Sequence, residues 1–201
     1  MGNHMKGEDM KKVLMFICAF IVLSIIYGVH IVNSAVKLDE SVNAAWAQVE
    51  NQYQRRFDLI PNLVNTVKGY TQHEQDTLTG IVEARASATK VQVNIDDTPS
   101  LQKYMNAQNE LSSVLSRLMA VAEAYPDLKA NQTFLNLQSQ LEGTENRIAV
   151  ARRDYIQVVK EYNMMLRVFP SRWILRQFTD LTPKATFEAS AEAAVVPKVE
   201  F

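Results

Sequence analysis

The sequence predicts an all-α protein in which an N-terminal transmembrane helix is continuous with, or closely followed by, an elongated antiparallel up-down four-helix bundle. Three observations support this fold class. An uncharged apolar stretch near the N-terminus is long enough to cross a bilayer as a helix. Beyond it, apolar residues recur every three or four positions over long segments, which is typical of amphipathic helices. Only 6 glycines and 6 prolines occur in 201 residues, few for a sheet or a loop-rich protein.

The apolar stretch runs from Val13 to Val36 and contains no acidic or basic residue unless His30 is protonated. As a helix it can span about 30 Å of hydrocarbon. A cleaved signal peptide would have an apolar region of only about 7–15 residues followed by a small-residue cleavage site. This stretch is longer and lacks such a site. We therefore expect a retained single-pass anchor over residues 13–36, preceded by an N-terminal tail, residues 1–12.

The lysines around the anchor predict its orientation. Lys6, Lys11 and Lys12 precede the stretch, whereas only Lys37 follows it closely. The positive-inside rule then places the N-terminal tail in the cytoplasm and the bundle on the periplasmic or extracytoplasmic side of the inner (plasma) membrane.

Residues 37–169 are expected to form the four helices of the bundle. The signals that bound the first three helices are an apolar stripe from Leu38 to Val67, a capping box at Thr71 and Glu74, an N-cap at Thr98 before Pro99, and a stop at Pro126. The fourth helix carries large apolar residues at intervals of seven, namely Phe134, Leu141, Ile148, Tyr155, Tyr162 and Phe169. A repeat of seven predicts left-handed, coiled-coil-like packing.

Pro61 lies inside the apolar stripe of the first helix, where a proline removes a backbone hydrogen bond. The stripe keeps its phase from Phe57 through Ile60 to Val64. This continuity favours one helix kinked at Pro61 over two separate helices. The alternative is that Asp58 caps a new helix, whose first turn tolerates a proline.

Arg56 occupies a core position of the first helix. In an antiparallel alignment of the first and fourth helices it lies level with Val150, between Glu145 and Arg152. A buried arginine needs a partner, so we expect a buried polar layer that fixes helix register, formed by Arg56, Asp58, Thr144, Glu145 and Arg152. The alternative is that the stem of Arg56 packs on apolar surface while its charged head reaches water.

A short membrane-proximal amphipathic helix is expected over residues 170–178. This part of the chain mixes arginines with large apolar residues, namely Arg167, Phe169, Arg172, Trp173, Ile174, Arg176 and Phe178. Such a mixture is typical of an anchor at the lipid–water interface. The alternative is that Trp173 and Ile174 cap the open end of the bundle.

Residues 179–201 are expected to form a largely extended and less ordered C-terminal tail. The last three residues, Val199, Glu200 and Phe201, fit the pattern that strand-adding, carboxylate-binding domains capture in a partner. The interpretation that we favour is that the tail docks along the bundle or onto a neighbouring subunit.

No catalytic or cofactor motif is recognisable. The sequence contains no G-x-S-x-G, P-loop or HExxH motif, and its single cysteine, Cys18, excludes a CxxC metal site. A net charge of −1 argues against nucleic acid as a partner. We expect neither an enzyme nor a bound cofactor.

Three stretches closely resemble the bacterial LemA family: "LDESVNAAWAQVENQYQRRFDLIPNLVNTVKGYTQHE", "YPDLKANQTFLNLQSQLEGTENRIAVARRDYIQVVKEYN" and the ending "PKVEF". The resemblance covers nearly everything after the anchor. It implies a membrane-anchored four-helix bundle without an established enzymatic activity, in a family linked to membrane remodelling and to membrane proteases. The expected function is that of a structural or scaffolding protein of the cell envelope, self-associating as a homo-oligomer on the lipid bilayer. The alternative is an adaptor or regulator of a membrane protease or other envelope protein.

Overall fold

The computed structural model describes residues 7–71 and 74–187. These residues contain helices and connecting segments and no β-strand, so the predicted all-helical class is confirmed. The helices are α1 (Gly7–Lys68), α2 (Gln75–Lys90), α3 (Thr98–Glu123), α4 (Pro126–Lys129), α5 (Gln132–Met165) and α6 (Ser171–Phe178).

Helix α1 is continuous for 62 residues and contains Pro61 in its interior. At 1.5 Å per residue it is about 93 Å long. The apolar N-terminal stretch and the first helix of the body are therefore one element, as the unbroken phase of the apolar stripe predicts. Asp58 does not begin a second helix, because it lies within α1, exposed, and accepts a hydrogen bond from Gln54 (2.7 Å).

The carbonyl group that Pro61 leaves without a helical donor has a partner in another helix. In an unbroken α-helix the N–H of residue 61 would donate to the carbonyl of Phe57, and a proline has no N–H. Arg85 of α2 supplies the missing donor, since its Nε lies 2.9 Å from the Phe57 carbonyl oxygen. Packing of α2 against α1 thus replaces the backbone hydrogen bond that the proline removes.

Helices α1 and α5 form the most extensive interhelical contact, and α2 packs mainly against α3. The α1–α5 pair is antiparallel, because Trp46 contacts Tyr155 (ring centroids 5.3 Å apart) whereas Gln52, farther along α1, accepts a hydrogen bond from Arg147. This alignment is displaced from the predicted one, in which Arg56 lay level with Val150. Apolar residues of α1 from Val42 onward, α2, α3 and α5 share one core. We call this assembly the helical body.

The seven-residue repeat of α5 is buried from Phe134 to Tyr162 but does not extend to Phe169. Helix α5 ends at Met165, and the Phe169 side chain is 87% exposed. The expectation that Phe169 continues the core was wrong. Pro170 disfavours the helical conformation at Phe169, and α5 has already ended at Met165, four residues before Phe169.

Two predicted helix starts are also corrected. Helix α2 begins after Glu74 without a side-chain cap, and the Thr71 hydroxyl donates to the Val67 carbonyl instead. Helix α3 is capped by Asp97, whose carboxylate accepts a hydrogen bond from the Ser100 N–H (2.9 Å). Thr98 is therefore the first helical residue and not the N-cap. Asp is as good an N-cap as Thr, and this start still leaves Pro99 in the first turn.

Residues 182–187, which we call the strap, form neither helix nor strand and lie against the helical body. For these residues the attachment agrees with the expected docking of the tail along the bundle. Side chains of α5 hold the strap backbone: Tyr162 donates to the Thr182 carbonyl (2.9 Å), Tyr155 donates to the Ala185 carbonyl (2.8 Å), and Asn163 bonds both backbone groups of Lys184 (2.9 Å each). Residues 188–201, including Val199, Glu200 and Phe201, lie outside the described residues.

The Lys184 side chain joins the strap to two further parts of the body. Its Nζ lies 3.0 Å from Asp39 of α1 and 2.8 Å from Asp96 of the α2–α3 connection. Burial would lower the pKa of Lys184, but the contacts with Asp96 and Asp39 outweigh it and raise that pKa. The strap therefore links α1, the α2–α3 connection and α5 through one ammonium group.

We predict that the free-energy cost of removing Arg85 depends on Pro61. Arg85→Ala should destabilise the wild-type chain by about 1–3 kcal/mol, because the Phe57 carbonyl loses its donor. In a Pro61→Ala background the residue-61 N–H can serve that carbonyl, so Arg85→Ala should cost much less. A double-mutant cycle, with denaturant unfolding followed by circular dichroism in detergent, measures the difference. Equal costs in both backgrounds would contradict this account of the proline.

Candidate functional site

Arg56 connects three helices from a buried position. It lies on α1 with 2% of its surface exposed. Its Nε is 3.0 Å from Oε1 of Glu145 on α5, and its Nη2 donates to the hydroxyl of Ser112 on α3. Ser112 in turn donates to the Gln108 carbonyl (3.1 Å). The guanidinium is thus the polar centre of the body where α1, α3 and α5 meet.

The contact between Arg56 and Glu145 is an ion pair rather than an aligned hydrogen bond, because the Nε–H does not point at the carboxylate. Burial lowers the pKa of Arg56 below its ordinary value, while Glu145 and the nearby Tyr53 and Tyr104 oppose that shift. The Glu145 side chain is 49% exposed. One partner is therefore desolvated and the other is partly hydrated.

The other residues of the expected polar layer lie elsewhere. Asp58 is exposed, because residues two apart on a helix do not share a face. Thr144 is buried, donates to the Gln140 carbonyl (2.7 Å) and accepts from Arg147 (2.8 Å). Arg152 lies over the ring of Phe187, 4.5 Å from its centroid. The structure brings Arg56 and Glu145 together and does not bring Asp58, Thr144 or Arg152 to them.

Sequence reasoning missed Ser112, Arg85 and Lys184. Ser112 follows Leu111 of the α3 apolar stripe, but only the relative rotation of α3 and α1 brings its hydroxyl to Arg56. Lys184 lies in a segment without periodicity, so no local pattern indicates its two carboxylate partners. For Ser112 and Lys184, only contacts between distant parts of the chain reveal the role of the side chain.

An open cleft of about 300 Å³ lies beside Arg56 between α3 and α5. Its polar lining includes Ser112, Ser116, Gln138, Glu142 and Glu145. Within the described parts of the chain, no three His, Cys, Asp or Glu side chains are grouped to hold a metal ion.

A second group of predicted site residues lies where α6 meets α1. Leu175 of α6 is buried with Ile31 and Ala35 of α1, and Ile174 packs against the same cluster. The most exposed aromatic side chains at this junction are Phe169 (87%), Trp173 (67%) and Phe178 (70%). Arg167, Arg172 and Arg176 are exposed as well. We call the exposed residues Phe169, Arg172, Trp173, Arg176 and Phe178 the collar.

The collar lies next to the end of the exposed apolar part of α1. Large apolar side chains are exposed along that helix from Met10 to Val29, and α1 is long and apolar enough to cross a membrane. Ile31 and Ala35 follow Val29 by about 3 to 9 Å along the helix axis. Ile174 contributes to the α1–α6 packing, whereas Trp173 remains largely exposed.

We predict that removing the charge of Glu145 alone destabilises the chain more than removing the charges of both Arg56 and Glu145. Glu145→Gln should destabilise the chain by about 1–3 kcal/mol, because it leaves a buried guanidinium without its counter-charge. Adding Arg56→Met should recover most of that loss. Glu142→Gln, which changes an exposed carboxylate one turn away, is the matched control and should have an effect within about 0.5 kcal/mol. If the double variant is no more stable than Glu145→Gln alone, the buried charge is not the cause.

The family comparison covers the helical body, α6 and the strap. The model of the LemA family matches residues 45–201. Protein LemA of Metamycoplasma hominis is 24% identical over 178 residues, covering 87% of this chain and 78% of that protein.

Two further relatives are magnetosome proteins by name. Magnetosome protein MamQ 2 of Paramagnetospirillum magneticum is 27% identical over 161 residues, covering 71% of this chain and 59% of that protein. Magnetosome protein MamQ of Magnetospirillum gryphiswaldense is 25% identical, covering 69% and 58%. The chain thus spans less than two thirds of the length of these MamQ proteins. Because the family model matches the chain from the start of the helical body onward, the chain belongs to the LemA family.

Proposed function

We propose that the chain is a single-span structural protein of the bacterial envelope. In this proposal α1, α2, α3 and α5 act as an antiparallel four-helix bundle that stands off the inner membrane, self-associates and organises the bilayer. The observation that carries the proposal is the continuity of α1, which joins the apolar span to the body core without a linker. A continuous helix transmits the orientation of the body to the membrane, whereas a flexible linker would uncouple the two.

The collar is a second observation in favour of this proposal, because it would hold the helical body at a fixed height above the bilayer. Exposed aromatic residues with arginines are typical of the lipid–water interface. Leu175 fixes α6 to α1 at Ile31 and Ala35, so insertion of the collar would hold the rod at two points. We assign no catalytic step to the chain.

The N-terminus is proposed to lie in the cytoplasm and the body outside it. Lys6, Lys11 and Lys12 favour this orientation. In the folded chain Arg172 and Arg176 belong to α6, which packs through Leu175 against Ile31 and Ala35 at the body end of the proposed span. The two arginines are distant from the span in sequence, and the positive-inside rule counts residues close to the span along the chain.

Cysteine labelling tests the orientation. Cys18→Ser removes the single cysteine, and Asn3→Cys or Ser113→Cys then introduces one label site at the N-terminus or on the exposed face of α3. With a membrane-impermeant maleimide, intact spheroplasts should label only the Ser113→Cys variant, and lysed membranes should label both. If intact spheroplasts label only the Asn3→Cys variant, the orientation is the opposite of the one proposed.

A second candidate function is that of an adaptor for a membrane protease or other envelope protein. The observation that favours it is the strap, since its binding by Tyr155, Tyr162 and Asn163 shows that this face of α5 accepts an extended backbone. The C-terminal Val199, Glu200 and Phe201 are the proposed contacts with the partner.

The composition of the particle extracted in mild detergent separates the two functions. A scaffold should give a large homo-oligomer that is unchanged by deletion of Val199–Phe201. An adaptor should give a monomer associated with one other protein, which the same deletion releases. Mass photometry gives the particle size and mass spectrometry its composition. A monomer without another protein would contradict both proposals.

A further inference from the structure

Two arginines and a tryptophan share the exposed face of α6. Arg172 and Arg176 are one helical turn apart, and Trp173 lies beside them on the side away from Leu175. Leu175 faces Ile31 and Ala35 of α1. The side chain that holds α6 against α1 therefore leaves both guanidinium groups and the indole directed outward.

The exposed charges around this face are mainly positive. Residues 166–181 contain Arg167, Arg172 and Arg176 but only one acidic residue, Asp180. On the neighbouring turns of α1, Lys37 and Glu40 are both exposed, and Asp39 is engaged by Lys184. Within the described residues neither Arg172 nor Arg176 forms an ion pair. Among the described residues, no carboxylate therefore competes with an anion from outside the chain for these guanidinium groups.

We propose that the collar binds the phosphates of anionic phospholipids in the leaflet on the body side of the membrane. This inference rests on the proposed seating of α6 at the lipid–water interface. Guanidinium groups bind phosphate oxygens through paired hydrogen bonds. Anionic membrane surfaces attract clustered basic residues near a transmembrane helix. Trp173 lies beside the two arginines and would fix how deep they sit in the membrane, because an indole ring favours the boundary between headgroups and acyl chains.

Quenching of Trp173 fluorescence by brominated lipids tests the proposal in the full chain reconstituted in nanodiscs. The bilayers have one composition throughout, and either the phosphatidylglycerol or the phosphatidylcholine component carries brominated acyl chains at equal mole fraction. The Trp173→Phe variant keeps only the fluorescence of Trp46, which is buried in the body. Subtracting its signal from that of the wild-type chain therefore gives the quenching of Trp173. We expect stronger quenching by the brominated phosphatidylglycerol. The excess of quenching by brominated phosphatidylglycerol over that by brominated phosphatidylcholine should disappear in the double variant Arg172→Gln with Arg176→Gln. Quenching by brominated phosphatidylcholine should persist in that variant.

The matched control is Arg117→Gln with Arg153→Gln, which removes the same charge from exposed positions of α3 and α5. This variant should keep the excess quenching. Equal quenching by the two lipids in the wild-type chain would overturn the anionic preference and leave the seating of α6 intact. No quenching by either lipid would overturn the seating itself. Loss of the excess in the control variant would show that net charge, and not the collar, attracts the lipid.

Discussion

The continuity of α1 from its exposed apolar N-terminal part into the core of the helical body is the constraint on which the rest of the structure depends. A proline in a helix interior removes one backbone hydrogen bond, and here the Phe57 carbonyl receives Arg85 in its place. The helix then continues for seven residues beyond Pro61, to Lys68, and Leu63 and Val67 remain part of the body core. If α1 broke at Pro61, Leu63 and Val67 would no longer be held in register with the rest of the body core.

Polar contacts between helices are concentrated at a few places along this rod. Arg56 joins α1 to α3 and α5 through Ser112 and Glu145. Lys184 joins the strap to α1 and the α2–α3 connection through Asp39 and Asp96. Apolar packing permits small shifts along the helix axes, whereas a buried charge is satisfied in only one alignment. We interpret both contacts as determinants of helix register.

The α6 helix gives the membrane end of the rod a second element. The strap follows it directly in the chain, so the segment that contacts α1 near the span also leads to the segment that crosses α5. Residues 179–181 connect α6 to the strap, which α5 holds through Tyr155, Tyr162 and Asn163. This connection couples the membrane-proximal end to the helical body by chain continuity alone.

The sequence by itself determined the helical class, the long apolar N-terminal stretch, the unbroken stripe through Pro61 and the short helix near residues 170–178. Each depends on periodicity or composition within a short window, which folding does not alter. Even there, competing local signals misplaced the caps at Thr71 and Thr98 and the end of α5. Only the tertiary structure decided that Arg85 serves the Phe57 carbonyl, that Ser112 reaches Arg56 and that Lys184 joins Asp39 to Asp96. These partners lie far apart in the chain, and helix rotation and register, which no local pattern encodes, bring them together.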